Sequence, residues 1–427
     1  ILPVAVTEVY AADGIAMTVN GTEYTDHATG WSAAVKLAKS GTETTVKLFA
    51  DWIADAKNGF VCPNGGTVEK GLYVDGGTFT LDLNGYTISR NASGDISSEY
   101  VLYVMDCTFT LDDTSKEKTG KITGSNYNHM AYGGGVYTYH STFTINGGSI
   151  CGNKGGSRGG MYVDHSELIM NGGSIVDNES EFGSGGIFLI NSNFVMNGGI
   201  IARNRTDYNG GAVNIVSTDK FPSAFYMYGG VIEDNYAEDW GGAIFLGHPN
   251  LTDFNNFTDF IMYGGVIRNN TAGTRGGGVC TAYPDSAEKF ASEVVINGGS
   301  IIGNVCEKGE GGGIYWDQSS KLYLSNCTIT GNSAPNGLGG GVYVDGKYTT
   351  GVVFGGYVNI TGNTSFTDYS GNNGNLYFGT ESSVRLLHDY KESGALSADS
   401  KISFTAGKIN LDAKIKLNES ENITEEL

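Results

Sequence analysis

Three carboxylates recur at one place in consecutive repeats of this chain: Glu181, Asp207 and Glu238, each three residues after an asparagine (Asn178, Asn204, Asn235). The next repeat, from Asn270, has Gly273 at that place and Arg275 two residues on, where the others carry Gly183, Asn209 and Trp240. If repeats stack at the spacing of neighbouring strands, about 4.8 Å, the carboxylates form a column of like charge. Such a column raises carboxyl pKa values or recruits a cation. Ca²⁺ fits, because it takes several carboxylate and carbonyl oxygens. An acid and nucleophile pair fits too, since retaining glycosidases hold their carboxyls about 5 Å apart. Arg275 beside Glu238 is the nearest approach to a base at a carboxylate cluster. The bland reading, a solvated turn with splayed side chains, is the favoured one, and no cofactor other than Ca²⁺ is invited.

Two further features suit binding. Three consecutive repeats carry long insertions at one corner, at Val216–Ala224, Gly247–Asp259 and Ala282–Glu293. Insertions gathered on one face of a repeat protein often form its binding face. Their residues His248, Phe254, Asn255, Phe257, Tyr283 and Asp285 suit hydrogen bonding and stacking. The outward residue of the strand after each Gly-Gly is mostly aromatic: Tyr73, Tyr103, Tyr137, Tyr162, Phe188, Phe245, Tyr315, Tyr343 and Tyr377. An exposed apolar stripe marks an interaction surface, although same-face ring pairs also stabilise strands without any ligand. Asn214 and Cys280 interrupt the stripe in the repeats that carry insertions. The expected contact residues are Tyr208, Asn214, Trp240, Phe245, His248 and Arg275.

The elements that must position these groups follow from the repeat. Asn91, Asn153, Asn178, Asn204, Asn235, Asn270, Asn304, Asn332 and Asn363 each stand three residues after an isoleucine. A period of 25–35 residues means one unit stacked on copies of itself. From Asn171 to Asn191 the unit reads as three short alternating strands, Ser174–Val176, Ile187–Leu189 and Phe194–Met196, separated by turns. Three strands per unit predict an all-β, right-handed parallel β-helix of about eleven coils, a rod of roughly 50 Å. Phe79, Phe109, Phe143, Leu168, Phe194, Phe225 and Phe260 form one inward column, and Leu72, Leu102, Val136, Met161, Ile187 and Val213 begin another. The asparagines bond amide to amide between coils and tolerate left-handed turns. Residues 1–11 read as the tail of a signal peptide and 12–64 as an α/β cap. Residues 65–387 read as the β-helix and 388–427 as closing strands. In the cap, Trp31, Val35 and Ala38 share one helical face.

The GGAV at 210–213, GGAI at 241–244, FTIN at 143–146 and FVMN at 194–197 resemble the paired GGA[I/L/V] and FxxN repeats of chlamydial polymorphic outer-membrane proteins. More widely, the chain resembles bacterial β-helix surface proteins of pectate-lyase-like fold. The resemblance implies a surface adhesin. FYMY (225–228) and FIMY (260–263) depart from the FxxN pattern.

Composition narrows the partners. A net charge of −20 disfavours nucleic acid and anionic membranes, whose phosphates require Lys and Arg. No stretch reaches the ~18 apolar residues needed to span a bilayer. Six cysteines in an exported chain permit disulfides without specifying any. The expected function is binding by a secreted or cell-surface monomer, its partner a glycan or a host surface protein. The alternative is a polysaccharide lyase or glycoside hydrolase acting along the rod, although no GHG and no paired Asp-Asp on a strand is expected from the sequence.

Overall fold

The computed structural model describes residues 14–406, apart from 55–56, 62–66, 91–99, 127–132, 219–220, 248–257, 283–292, 318–320, 346–351, 367–373, 379–383, 387–395, 398 and 403. The fold is a parallel β-solenoid of about nine turns. Strand pairing between coils is parallel, as in Met161–Asp164 on Ile187–Ile190 and Glu167–Met170 on Asn193–Met196. The expected eleven coils become nine because the end coils supply strands to only some faces. The face after Gly-Gly runs from Leu72 to Phe404, whereas a short eight-stranded sheet runs only from Lys154–Gly155 to Thr364–Ser365. That short sheet occupies what reads in sequence as a polar turn after the asparagine. Two residues per coil are too few to show an alternation.

The core is three columns. Phe79, Phe109, Phe143, Leu168, Phe194, Phe225 and Phe260 pair coil on coil and are fully buried. Leu72, Leu102, Val136, Met161, Ile187 and Val213 line the second. The isoleucines Ile150, Ile175, Ile201, Ile232, Ile267 and Ile301 line the third. Strict alternation lets each strand send every second residue inward.

The buried asparagines form a continuous ladder. Each backbone N–H and each Nδ2 donates to the Oδ1 of the next coil, from Asn153 through Asn363 at 2.9–3.1 Å. Asn375 ends it, accepting from Asn363. The left-handed residue is not the asparagine but the one before it: Asp177, Arg203, Asp234 and Asn269 have φ of 53–58°. The corner therefore turns first, and the asparagine then ties it to its neighbour. Asn91 lies outside the described residues.

The cap closes the first coil. Asp26 caps the helix His27–Lys39 by accepting from Thr29 N at 2.7 Å. Trp31 packs on Phe79 and Trp52 at ring distances of 5.1 and 5.4 Å, so it extends the phenylalanine column. Ala34 and Ala38 complete the buried face, with Val35 partly buried. Asp82 ties cap to rod. It accepts from Thr114 N and Oγ1, Asn84 N and Lys47 Nζ. Burial alone would raise this carboxyl, but the bonds from Thr114 and Lys47 outweigh it and hold it below its ordinary value. A depressed folded pKa adds stability above the unfolded value of about 3.9, lost as pH falls through the folded one. Thermal melts of wild type should therefore show an acid-labile step that Asp82→Asn lacks, and Asp82→Asn should lose about 1 kcal/mol at neutral pH. Identical acid profiles for the two would remove Asp82 from this role.

Residues 1–11 lie outside the described residues, and so does most of the 388–427 segment, whose described part is 396–397, 399–400 and short strands at Lys401–Ile402 and Phe404–Ala406. Among the described residues no helix is long and apolar enough to cross a membrane. Cys107, Cys151, Cys280, Cys306 and Cys327 are free thiols, and Cys62 is outside the described set.

Candidate functional site

The carboxylate column exists but is not a column of unbalanced charge. Glu181, Asp207 and Glu238 directly follow Ser180, Thr206 and Ala237, which belong to one run of paired short strands. Asp207 lies 3.6 Å from Arg205 and is mostly exposed. Glu238 takes a bond from the Tyr236 hydroxyl and one from Lys308 at 2.9 Å. Those two donors hold the Glu238 carboxyl below its ordinary value. The expectation of a raised carboxyl fails at Glu238, because Tyr236 of its own coil and Lys308 from two coils on both donate to it. Among the described residues no three His, Cys, Asp or Glu side chains gather as they would around a metal ion.

Arg275 does not face Glu238. Its guanidinium lies over the rings of Trp240 (5.2 Å) and Tyr315 (4.9 Å). Arg158 does the same over Tyr162 and Phe188 at 4.2 and 4.6 Å. These arginines belong to the segment that leads from the asparagine ladder to Gly-Gly, and that segment folds over the aromatic stripe. The stripe is therefore largely covered, against the expectation of an exposed surface. Tyr103, Tyr137, Phe245 and Tyr315 are buried. Being outward on one strand is not being outward on the molecule. Burial pushes the Tyr315 and Tyr343 phenols up, so they stay protonated. Phe245, Cys280 and Tyr315 pack together under Trp240. Asn214 lies between Phe188 and Phe245 in register and is 3% exposed, its Oδ1 buried without a hydrogen-bond partner. Of the expected contacts, Tyr208 is exposed, Trp240 and Arg275 are half-buried, and Phe245 and Asn214 are buried. His248 and the insertion residues Phe254, Asn255, Phe257, Tyr283 and Asp285 lie outside the described residues.

A different place gathers chemistry. At the corner between the Gly-Gly strand and the phenylalanine strand, Asp106, His140, His165 and Asn191 succeed one another coil by coil. All four adopt φ of 46–49°. Each is followed by a residue of a second ladder. Cys107 N donates to Ser141 Oγ, Ser141 N to Ser166 Oγ, Ser166 N to Ser192 Oγ and Ser192 N to Ser223 Oγ, at 2.9–3.2 Å. The serine ladder spends its donors on backbone and pins the corner, so the residue before each serine stands out at a fixed height.

Above this floor runs an open groove of about 810 Å³. One end is Gly77, where a Cβ would meet Ala38 O at 2.1 Å, so the cap helix abuts it. The other end is Phe221 and Pro222, from the first insertion. Phe221 is 59% exposed and its ring meets that of His165 edge-on at 5.6 Å. His165 Nδ1 lies 2.7 Å from Asp164 Oδ1, whose Oδ2 accepts from the Tyr137 hydroxyl at 3.3 Å. Asn191 Nδ2 is 3.4 Å from His165 Nε2 and donates to Thr218 Oγ1 at 3.0 Å. Tyr139 stacks on His140 at 3.9 Å, and His140 meets His165 edge-on at 5.6 Å. Burial, with Asp164 and Asp106 nearby, raises the Tyr139 phenol, so it remains a donor. Burial pushes the Cys107 thiol up to about 12, which excludes it as a nucleophile.

The sequence reading did not single out this groove, although it placed insertions at this corner. Its signals were a Ser or Cys two residues before Phe109, Phe143, Leu168, Phe194 and Phe225, and two of the chain's six histidines one coil apart. No protein-family model, curated protein or solved structure matches the chain, so the assignment of this site rests on its geometry.

Proposed function

We propose that the chain is a secreted or cell-surface recognition module that holds a glycan in the corner groove. One observation carries this reading: imidazole, amide, carboxylate and hydroxyl groups repeat along an open groove that ends at an exposed phenylalanine. Groups repeating at about 4.8 Å suit a polymer laid parallel to the rod. A few placed polar groups beside an aromatic wall are what small-ligand sites use for orientation and affinity. The likeness of the GGA and FxxN repeats to surface adhesins supports a place outside the cell. A second reading, cleavage of the bound polysaccharide, is favoured by the Asp164–His165 pair, in which a carboxylate orients an imidazole that could act as a base.

Titration of the purified chain against an oligosaccharide panel, with product analysis, tests both. His165→Ala and Phe221→Ala should each weaken a hit about tenfold, with melting curves showing the rod intact. Trp240→Ala, in the turn that covers the stripe, should leave affinity within about twofold. The reverse pattern would move the site to that turn and refute the groove. Shortened products that vanish in His165→Ala would make the chain an enzyme.

A further inference from the structure

The groove's charges select among glycans. Among the described residues its lining includes Asp106 and Glu167 but no lysine or arginine, and Asp164 stands just behind His165. Asp164 is committed to His165 and Tyr137. Asp106 is 64% exposed, and its recorded ionic neighbour is the His140 imidazole at 3.7 Å. Glu167 is exposed, and no ion pair engages it among the described residues. Lys39, near the Gly77 end, is taken up by Asp75 at 2.5 Å. Asp106 and Glu167 stand two coils apart, about 10 Å along the rod. The whole chain adds a field of the same sign, at −20.

From this arrangement, and resting on the glycan reading above, we infer that the groove takes a polysaccharide of amine-bearing sugars rather than neutral or acidic ones. The groove makes the site, and its uncompensated carboxylates choose the occupant. A uronic or sialic acid polymer would bring carboxylates against Asp106 and Glu167 with no lysine or arginine among the described lining residues to receive them. A neutral sugar would gain the hydrogen bonds and the ring contact but leave both carboxylates facing an uncharged ligand. A free amine on every sugar recurs often enough to meet both carboxylates in any register. Each pair would be a charge-assisted hydrogen bond in a partly enclosed setting.

The test compares the full chain's affinity for three probes of equal length: a glucosamine oligomer with free amines, its fully N-acetylated counterpart, and an oligouronate. The free-amine oligomer should bind about tenfold more tightly than the acetylated one at low salt, the margin shrinking as salt rises. Asp106→Asn with Glu167→Gln should remove that margin, so that the free-amine and acetylated oligomers bind the variant alike. The oligouronate should not bind. Equal affinity for amine and acetylated forms would overturn the charge selection and leave the glycan reading standing. So would a margin that survives the double variant. Preference for the oligouronate would overturn it as well. Failure of every oligosaccharide, with Phe221→Ala equally inert, would sink the glycan reading itself.

Discussion

Replacing Asn235 with alanine should destabilise the rod by about 4 kcal/mol, more than any surface change in the same coil. Asn235 Oδ1 accepts from Asn204 N at 3.0 Å and from Asn204 Nδ2 at 2.9 Å. Its Nδ2 donates to Asn270 Oδ1, Ile201 O and Glu233 O at 2.9–3.0 Å. Alanine removes all five contacts and leaves the Asn204 N–H and amide buried without their acceptor. Each such orphan costs roughly 1–3 kcal/mol, since no water reaches it. Asn235→Asp keeps the size and the acceptors but puts a carboxylate against Asn270 Oδ1 and two carbonyls, so it should be at least as damaging at neutral pH. Urea unfolding gives the global figure. Hydrogen exchange should show the loss centred on Asn204, Asn235 and Asn270, because each coil interacts directly only with its neighbours. A loss below about 1 kcal/mol for both variants would mean the ladder is ornament.

The parts of this architecture that were legible in the sequence are those with a long period and a fixed residue type. Isoleucine followed at three by asparagine marks one face, and the column from Phe79 to Phe260 marks another. Both fall in the expected columns. What was not legible depends on what a coil does with its own turn. The stripe from Tyr103 to Tyr315 alternates as an outward face should, yet Arg158, Trp240 and Arg275 fold over it from the preceding segment. Glu181, Asp207 and Glu238 align as read, but Arg205 and Lys308 arrive from positions that spacing alone did not connect to them. The groove was hidden for a related reason. Asp106, His140, His165 and Asn191 share a backbone corner rather than a residue type, and a column of mixed chemistry gives no repeat to see. Where the motif FxxN becomes FYMY and FIMY, Tyr228 and Tyr263 stack at 5.1 Å in place of the asparagine pairs of earlier coils, Asn146–Asn171 and Asn171–Asn197. That exchange keeps a coil-to-coil contact while changing its chemistry.

Gly242→Ala should cost about 3 kcal/mol, whereas Gly331→Asn should change stability by under about 0.5 kcal/mol. The contrast separates two reasons for glycine in this chain. A Cβ at Gly242 would lie 2.4 Å from Gly277 O and 2.5 Å from the Thr271 carbonyl group, all backbone of the next coil. Gly211 meets Gly242 O in the same way at 2.2 Å, and Gly277 meets Gly312 O at 2.4 Å. This column exists so that coils can approach. Relief would have to part the coils and strain the bonds Gly242 N to Gly276 O and Ala243 N to Gly277 O. Gly331, by contrast, has a φ of +65° and open space, with nothing nearer a Cβ than Gly303 N at 3.8 Å. Its counterparts Asp234 and Asn269 hold φ of 55° with side chains in place, and asparagine is among the residues that tolerate this conformation best. Denaturation midpoints of the two variants decide the matter. Equal losses would mean that both glycines serve turn conformation, and the close approach of coils would not be what the Gly-Gly motif secures.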